Sequence, residues 1–229
     1  MKKKILAIIL AAAMLLTLAA CASTAAPSEN QGTSAETPAS GETAEGKTYV
    51  VGICQLAQHV ALDAATQGFK DALVEELGDA VTFEEQNASG DIPTCSTICT
   101  GFAASNVDLI LANATPALQA AVSATQTIPI LGTAVTEYGV ALDIDDFSGT
   151  VGGNVSGTSD LADLSKQADM ITEWFPETQK VGLLFCSAEP NSRYQIEEVA
   201  KNLSAKGIET KEFAFTDSND VASVTQSAA

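Results

Sequence analysis

From residue 47 onward, short runs of branched apolar residues alternate with longer stretches whose apolar positions recur every three or four residues. The first rhythm suits a strand buried on both faces, and the second suits a helix with one apolar side. Residues 49–54 therefore predict a strand and 61–77 its helix, with Leu62, Ala65, Phe69, Leu73 and Leu77 on one face. Strands are predicted at 81–86, 107–112 and 128–131, with helices at 93–104 and 116–124 between them. Such alternation is the mark of βαβ units and a parallel sheet, so 47–155 reads as one doubly wound, Rossmann-like α/β lobe. After an Asp- and Gly-rich stretch at 143–157 the alternation resumes, with a helix at 161–175, a strand at 180–185, a helix at 192–205 and a strand at 208–215. Residues 156–229 thus open a second lobe of the same kind. Asp217-Ser218-Asn219-Asp220 resembles a helix cap shortly before the last residue, and two strands with a helix just begun leave apolar faces uncovered. The expectation is a truncated second lobe, the chain being part of a longer protein.

Upstream of this pattern the sequence has a different character. Met1-Lys2-Lys3-Lys4 is followed by an unbroken apolar stretch from Ile5 to Leu16 and then by Leu18-Ala19-Ala20-Cys21. A basic start, a hydrophobic core too short to span a bilayer and a small-residue end together predict a signal peptide over 1–20. Leu-Ala-Ala-Cys at that point resembles the bacterial lipobox, which would make Cys21 a lipidated N-terminus and a membrane anchor. Residues 22–46 carry Ser, Thr, Ala, Pro, Glu and Gly without a large apolar side chain, a composition that predicts a flexible tether behind Cys21.

Charge narrows the partners. The chain carries a formal net charge of -18, and loss of the three leading lysines would make it about three units more negative. Neither Lys nor Arg occurs between Lys70 and Lys166. Such a surface repels phosphate backbones and anionic headgroups, so no nucleic acid partner and no basic membrane patch is expected. Four cysteines remain after Cys21: Cys54, Cys95, Cys99 and Cys186. Their spacing matches no zinc ligand set, so no metal site is expected; small buried residues come first and a disulfide second. With one histidine, no Gly-x-Ser-x-Gly elbow and no phosphate loop, catalytic residues and cofactors are expected to be none.

In open parallel sheets ligands bind beyond the carboxyl ends of the strands. Asn113-Ala114-Thr115-Pro116 follows a predicted strand, with Thr115 as the expected N-cap and Pro116 as the first helical residue. Free backbone amides at such a start would suit a carboxylate in a lobe without basic side chains; an ordinary capped helix is the alternative. In the second lobe Ser187, Glu189 and Asn191 follow the strand ending at residue 185. Between the lobes, Ser156, Thr158, Ser159 and Asp160 are expected in a loop before a helix, with Asp160 either facing an ammonium group or capping that helix. Gln55, Gln58 and His59 in the first strand-to-helix loop add candidate hydrogen bonds, although a lone histidine is more often structural.

Several of these segments together resemble the ABC-transporter substrate-binding family that includes tryptophan- and tyrosine-binding lipoproteins. The likeness lies in His59 to Ala64, Gln67-Gly68-Phe69, Asn113 to Ala117, Asn154 to Asp160 and Glu189 to Ser192. Val60 departs from it, since the family commonly has Pro after the His. The resemblance implies a type I periplasmic-binding-protein fold whose two lobes close on a small molecule, an amino acid and in particular an aromatic one. It also implies ABC permease and ATPase subunits as partners, and a lipid-anchored place on the outer face of the cell membrane. Under it the ligand carboxylate is assigned to Thr115 and Thr133, and the ammonium to Asp160 or Glu189. A sugar- or nucleoside-binding protein and a sensory binding module of the same architecture remain alternatives.

Overall fold

The computed structural model describes residues 46–228, so the expected leader, Cys21 and the tether up to residue 45 lie outside the described residues. Strand β1 (Tyr49–Gln55) leads to helix α1 (Val60–Leu77), then β2 (Val81–Asn87), α2 (Ile92–Ser105), β3 (Leu109–Asn113), α3 (Thr115–Ala124) and β4 (Ile130–Val135). A short helix α4 (Tyr138–Leu142) and a fifth strand β5 (Val155–Ser159) complete the first sheet's connections. The second part runs α5 (Leu164–Trp174), β6 (Lys180–Cys186), α6 (Pro190–Ala205), β7 (Glu209–Phe215) and α7 (Val221–Ala228).

The first sheet has the order β2-β1-β3-β4-β5, with every pair parallel. Side chains along β1 alternate between two cores. Val51 and Ile53 join Val81 and Leu111 beneath Phe69 and Leu73 of α1. Cys54 points the other way, into a larger cluster with Cys95, Ile98, Cys99 and Phe102 of α2 and Ala117, Leu118 and Ala121 of α3. Helices on both faces make this the doubly wound lobe expected. A separate parallel pair, β6-β7, carries its own core of Leu183 and Phe185 with Leu164 and Ala168 of α5 and Ile196, Val199 and Leu203 of α6. Both sheets belong to one compact unit.

Three local expectations are corrected. Residues 156–160, expected as a loop between the lobes, mostly form β5, which pairs with β4 from Ile130↔Val155 to Val135↔Ser159. Backbone pairing defines it, because Ser156 to Ser159 are exposed and give no apolar alternation, while Val155 packs on the core and Ser159 and Tyr138 add side-chain hydrogen bonds. The helix expected at 161 begins at Leu164, and Asp163, not Asp160, caps it by accepting the Ser165 and Lys166 amides. The Asp160 amide instead extends the ladder to the Val135 carbonyl. Thr115, expected as an N-cap, is already the first residue of α3, and the capping position falls to Ala114.

Candidate functional site

The chain passes from β1 to β2 on one side and then returns to place β3 on the other, so the winding direction reverses between β1 and β3. Loops diverge at such a point, and the strand ends there open a natural crevice. Gln55 and Asn113 are register partners at the carboxyl ends of these two strands. Their side chains form a buried network. The Gln55 amide nitrogen donates to the Ala57 carbonyl at 2.9 Å and to Asp63 Oδ1 at 2.6 Å, while its oxygen accepts from Thr66 Oγ1 at 2.7 Å. Asn113 Nδ2 donates to the Leu62 carbonyl at 2.9 Å and to Thr66 Oγ1 at 2.8 Å. Gln55 is thereby occupied on both sides and serves to position Asn113.

Because Asn113 Nδ2 is fixed by a carbonyl that can only accept, the orientation of this amide is settled. Its Oδ1 is buried without a partner, as are Thr115 Oγ1 and, from the second lobe, Asn191 Oδ1. Asn113 is 0% exposed and Thr115 2%. An unsatisfied buried polar atom costs roughly 1–3 kcal/mol, so orphaned oxygens are rare in a native fold and each needs a cause. All three lie where a strand turns into a helix: Asn113 ends β3 and Thr115 begins α3, while Asn191 is the second residue of α6 beyond β6. Between the first two, Ala114 adopts φ 92 and ψ 157, a conformation that is costly for a residue with a Cβ. The turn so made swings Thr115 and Pro116 straight into α3, leaving the first backbone amides of that helix without partners inside it.

The other expected residues are placed separately, and the two hollows they line share no residue with this network or with each other. His59 is exposed and caps α1, its Nδ1 accepting the Ala61 amide at 3.2 Å, which gives it a structural task. Thr133 and Thr158 come together on β4 and β5 in a hollow of about 420 Å³, whose apolar wall is Ala65 and Phe69 of α1 with Leu111 and Leu131. Ser159 is tied to the Thr136 carbonyl at 2.6 Å, and Asp160 is exposed beyond it. Glu189 lines a larger crevice of about 610 Å³ between the two lobes, formed from Ser89, Gly90 and Ile92 on one side and Phe185, Gln195, Phe215 and Asp217 on the other. Ser187 donates to the Phe215 carbonyl at 3.1 Å and is turned to that task.

Tyr138 buttresses the same end of the sheet. Its hydroxyl donates to the Thr158 carbonyl at 3.2 Å, and the paired glycines Gly132 and Gly157 leave the room its ring and hydroxyl fill. Burial, and secondarily the Asp160 charge, push the Tyr138 phenol up to about 12. A neutral form favoured by the fold stabilises fully below the unfolded value near pH 10; stability then falls between pH 10 and 12, where only the unfolded chain ionises. Two units correspond to about 2–3 kcal/mol. Urea unfolding at pH 9 and 12 should therefore show a smaller alkaline loss in Tyr138→Phe than in the parent. Equal losses would refute this account of Tyr138.

The sequence matches the family described as ABC transporter substrate binding protein over residues 50–229. The chain belongs to that family. It is 34% identical over 226 residues to a tyrosine-binding protein of Clostridioides difficile (strain R20291), a match covering 96% of this chain and 62% of that relative. Among solved structures it resembles an ABC domain from Streptococcus pneumoniae in complex with L-Trp, with 30% identity and a TM-score of 0.74 over 80% of this chain and 62% of that one. A ligand-free, open substrate binding protein with adhesive properties from Clostridium difficile is 36% identical, with a TM-score of 0.57 over 79% of this chain and 62% of that one. The chain thus spans about three fifths of the length of these relatives.

The family is one of binding proteins rather than enzymes, and its members work outside the cytoplasm. Among the described residues no helix is long and apolar enough to cross a membrane. Sequence reasoning did not single out several residues that line the crevice or hold its polar network. Ser89, Gly90, Phe215 and Asp217 had a findable signal, since each stands at or just beyond the end of a strand. Thr66 and Asp63, which fix Gln55, had none, because they act through a neighbour one helical turn into α1.

Proposed function

We propose that the chain captures an amino acid, of the aromatic class, in the crevice between its two lobes and presents it to an ABC permease driven by ATPase subunits. The single observation that carries this reading is the set of three buried, unpartnered oxygens, Asn113 Oδ1, Thr115 Oγ1 and Asn191 Oδ1, drawn from both lobes. The amide oxygens of Asn113 and Asn191 can accept from polar hydrogens of a ligand, while the Thr115 hydroxyl and the open amides at the start of α3 can donate to its carboxylate. Apolar surface from Phe69, Leu111 and Leu131 offers room for a ring near Thr133 and Thr158. The relatives support the class, one being named for tyrosine and another holding L-Trp. The better superposition on the L-Trp complex than on the open, ligand-free protein, despite lower identity, accords with a crevice close to its ligand-holding form. Asp160 and Glu189 are the proposed partners of the ammonium group. Lipidation of Cys21 would hold the domain at the outer face of the membrane.

Thermal-shift and calorimetric titration of the protein against the common amino acids, sugars and nucleosides tests the reading. A ligand at a hundred times its dissociation constant adds about 2.7 kcal/mol of stability, which is readily seen. Tryptophan or tyrosine should give the largest shift, and Asp160→Ala or Glu189→Ala should weaken it at least tenfold. A response confined to sugars or nucleosides would exclude the amino acid class. No loss in either variant would remove the proposed ammonium site.

A further inference from the structure

Helix α1 has one buried side chain, and it is a polar one: Thr66 in its second turn, 3% exposed. Burying a hydroxyl costs free energy unless its hydrogen bonds are made, so this position calls for a reason beyond packing. The Thr66 hydroxyl makes two bonds. It donates to Gln55 Oε1 at 2.7 Å and accepts from Asn113 Nδ2 at 2.8 Å. These directions are forced. Gln55 Nε2 is held by the Ala57 carbonyl and the Asp63 carboxylate, neither of which can donate, so Gln55 must present its oxygen to Thr66. With its single proton spent there, Thr66 can offer Asn113 only a lone pair. We infer that Thr66 is a positioning residue for ligand recognition, holding the Asn113 amide with its nitrogen toward α1 and its oxygen toward the ligand.

This inference rests on the amino acid reading above and sharpens it. A reversed Asn113 would set its oxygen against the Leu62 carbonyl and the Thr66 oxygen, two acceptors, so the amide has one orientation. Gln55 Oε1, at 3.5 Å, is too distant to take over from Thr66. The two ends of a planar amide point apart, and Oδ1 has no partner in the fold. Thr133, the register partner of Asn113 on β4, and Ala65, beside Thr66, both line the hollow of about 420 Å³, so the amide is flanked by residues that face open space. A ligand group that meets Oδ1 must bring a hydrogen to donate: an ammonium or a hydroxyl is accepted there, and a carboxylate is refused. Selection of this kind is strong, because a ligand without the donor leaves the buried oxygen unpaired. Thr66 therefore acts on the discrimination between ligands more than on the binding of their remaining parts.

The test compares L-tryptophan with indole-3-propionate, which lacks only the amino group, by calorimetric titration of the full chain. The parent should bind tryptophan about tenfold more tightly or better, the weight of one hydrogen bond to a charged group. Thr66→Val should lower the tryptophan affinity about fivefold or more and leave indole-3-propionate within about twofold, and Thr66→Ser should restore the parent's preference. A merely structural role would weaken both ligands alike or neither, and either result overturns the proposal. NMR of the unliganded protein gives a second measurement. The two side-chain amide protons of Asn113, assigned through its Cβ, should exchange slowly with water in the parent and in Thr66→Ser, and at least one should exchange faster in Thr66→Val. Fast exchange of both in the parent, or unchanged exchange in Thr66→Val, removes the positioning role whatever ligand binds. A parent that binds no aromatic amino acid would sink the function proposed above, and the exchange rates would then decide by themselves whether Thr66 positions Asn113.

Discussion

Gly52→Ala will cost this protein about 3 kcal/mol of stability, a larger effect than any surface change in the first lobe. A Cβ at that position would lie 2.7 Å from Cγ and Cδ2 of Phe102 and 3.0 Å from Cδ1. Such overpacking costs typically 1–3 kcal/mol and sometimes more. In a strand interior the exchange of glycine for alanine would otherwise favour folding by a few tenths to 1 kcal/mol, so the sign is decided by the ring. Phe102 cannot step aside: it is 1% exposed and packed among Cys95, Ile98 and Cys99 of its own helix and the residues of α3. Urea unfolding measures the loss, and Phe102→Leu in the same chain should recover more than half of it. A single variant as stable as the parent would show that the packing of α2 on β1 is looser than the structure implies.

Asn113→Leu should lower stability by about 2 kcal/mol and weaken amino acid binding at least tenfold. The two side chains have the same branching and heavy-atom count, so the loss combines the missing hydrogen bonds with some overpacking by the bulkier methyls. It removes the donors to the Leu62 carbonyl and to Thr66 Oγ1 and leaves the Gln55 network incomplete in a fully buried place. It also removes Oδ1, the buried acceptor that has no partner in the fold and is proposed to meet the ligand. Equilibrium unfolding and a ligand titration on the same preparation separate the two effects. Unchanged stability would contradict the structural half of the argument, and unchanged affinity with lowered stability would confine Asn113 to scaffolding.

Much of the frame was legible because its strands are apolar runs. β1, β3 and β4 are buried on both faces or nearly so, and their branched residues announce them. β5 is the instructive failure: Val155-Ser156-Gly157-Thr158-Ser159 has no buried alternation, and only the ladder to β4 makes it a strand. α4, with five residues, is too short for a period to show. At the start of α3 the proline gave the place of the helix but not its cap, since nothing in the sequence tells that Ala114 carries a positive φ. The candidate site divides similarly. Asn113, Thr115 and Asn191 were visible as polar residues after strands, but that their oxygens are buried and unpartnered depends on packing from α1 and α6, which no spacing rule supplies.

The parallel pair β6-β7 has consequences for motion. Its core is eight buried residues clasped by α5 and α6, and Leu184 faces solvent on the side away from them. Local opening of a structure follows its thinnest burial, so backbone amides of this pair exchange with solvent hydrogen well before those of β1 and β3. The lobe that carries Asn191 is therefore expected to open before the lobe that carries Asn113 and Thr115.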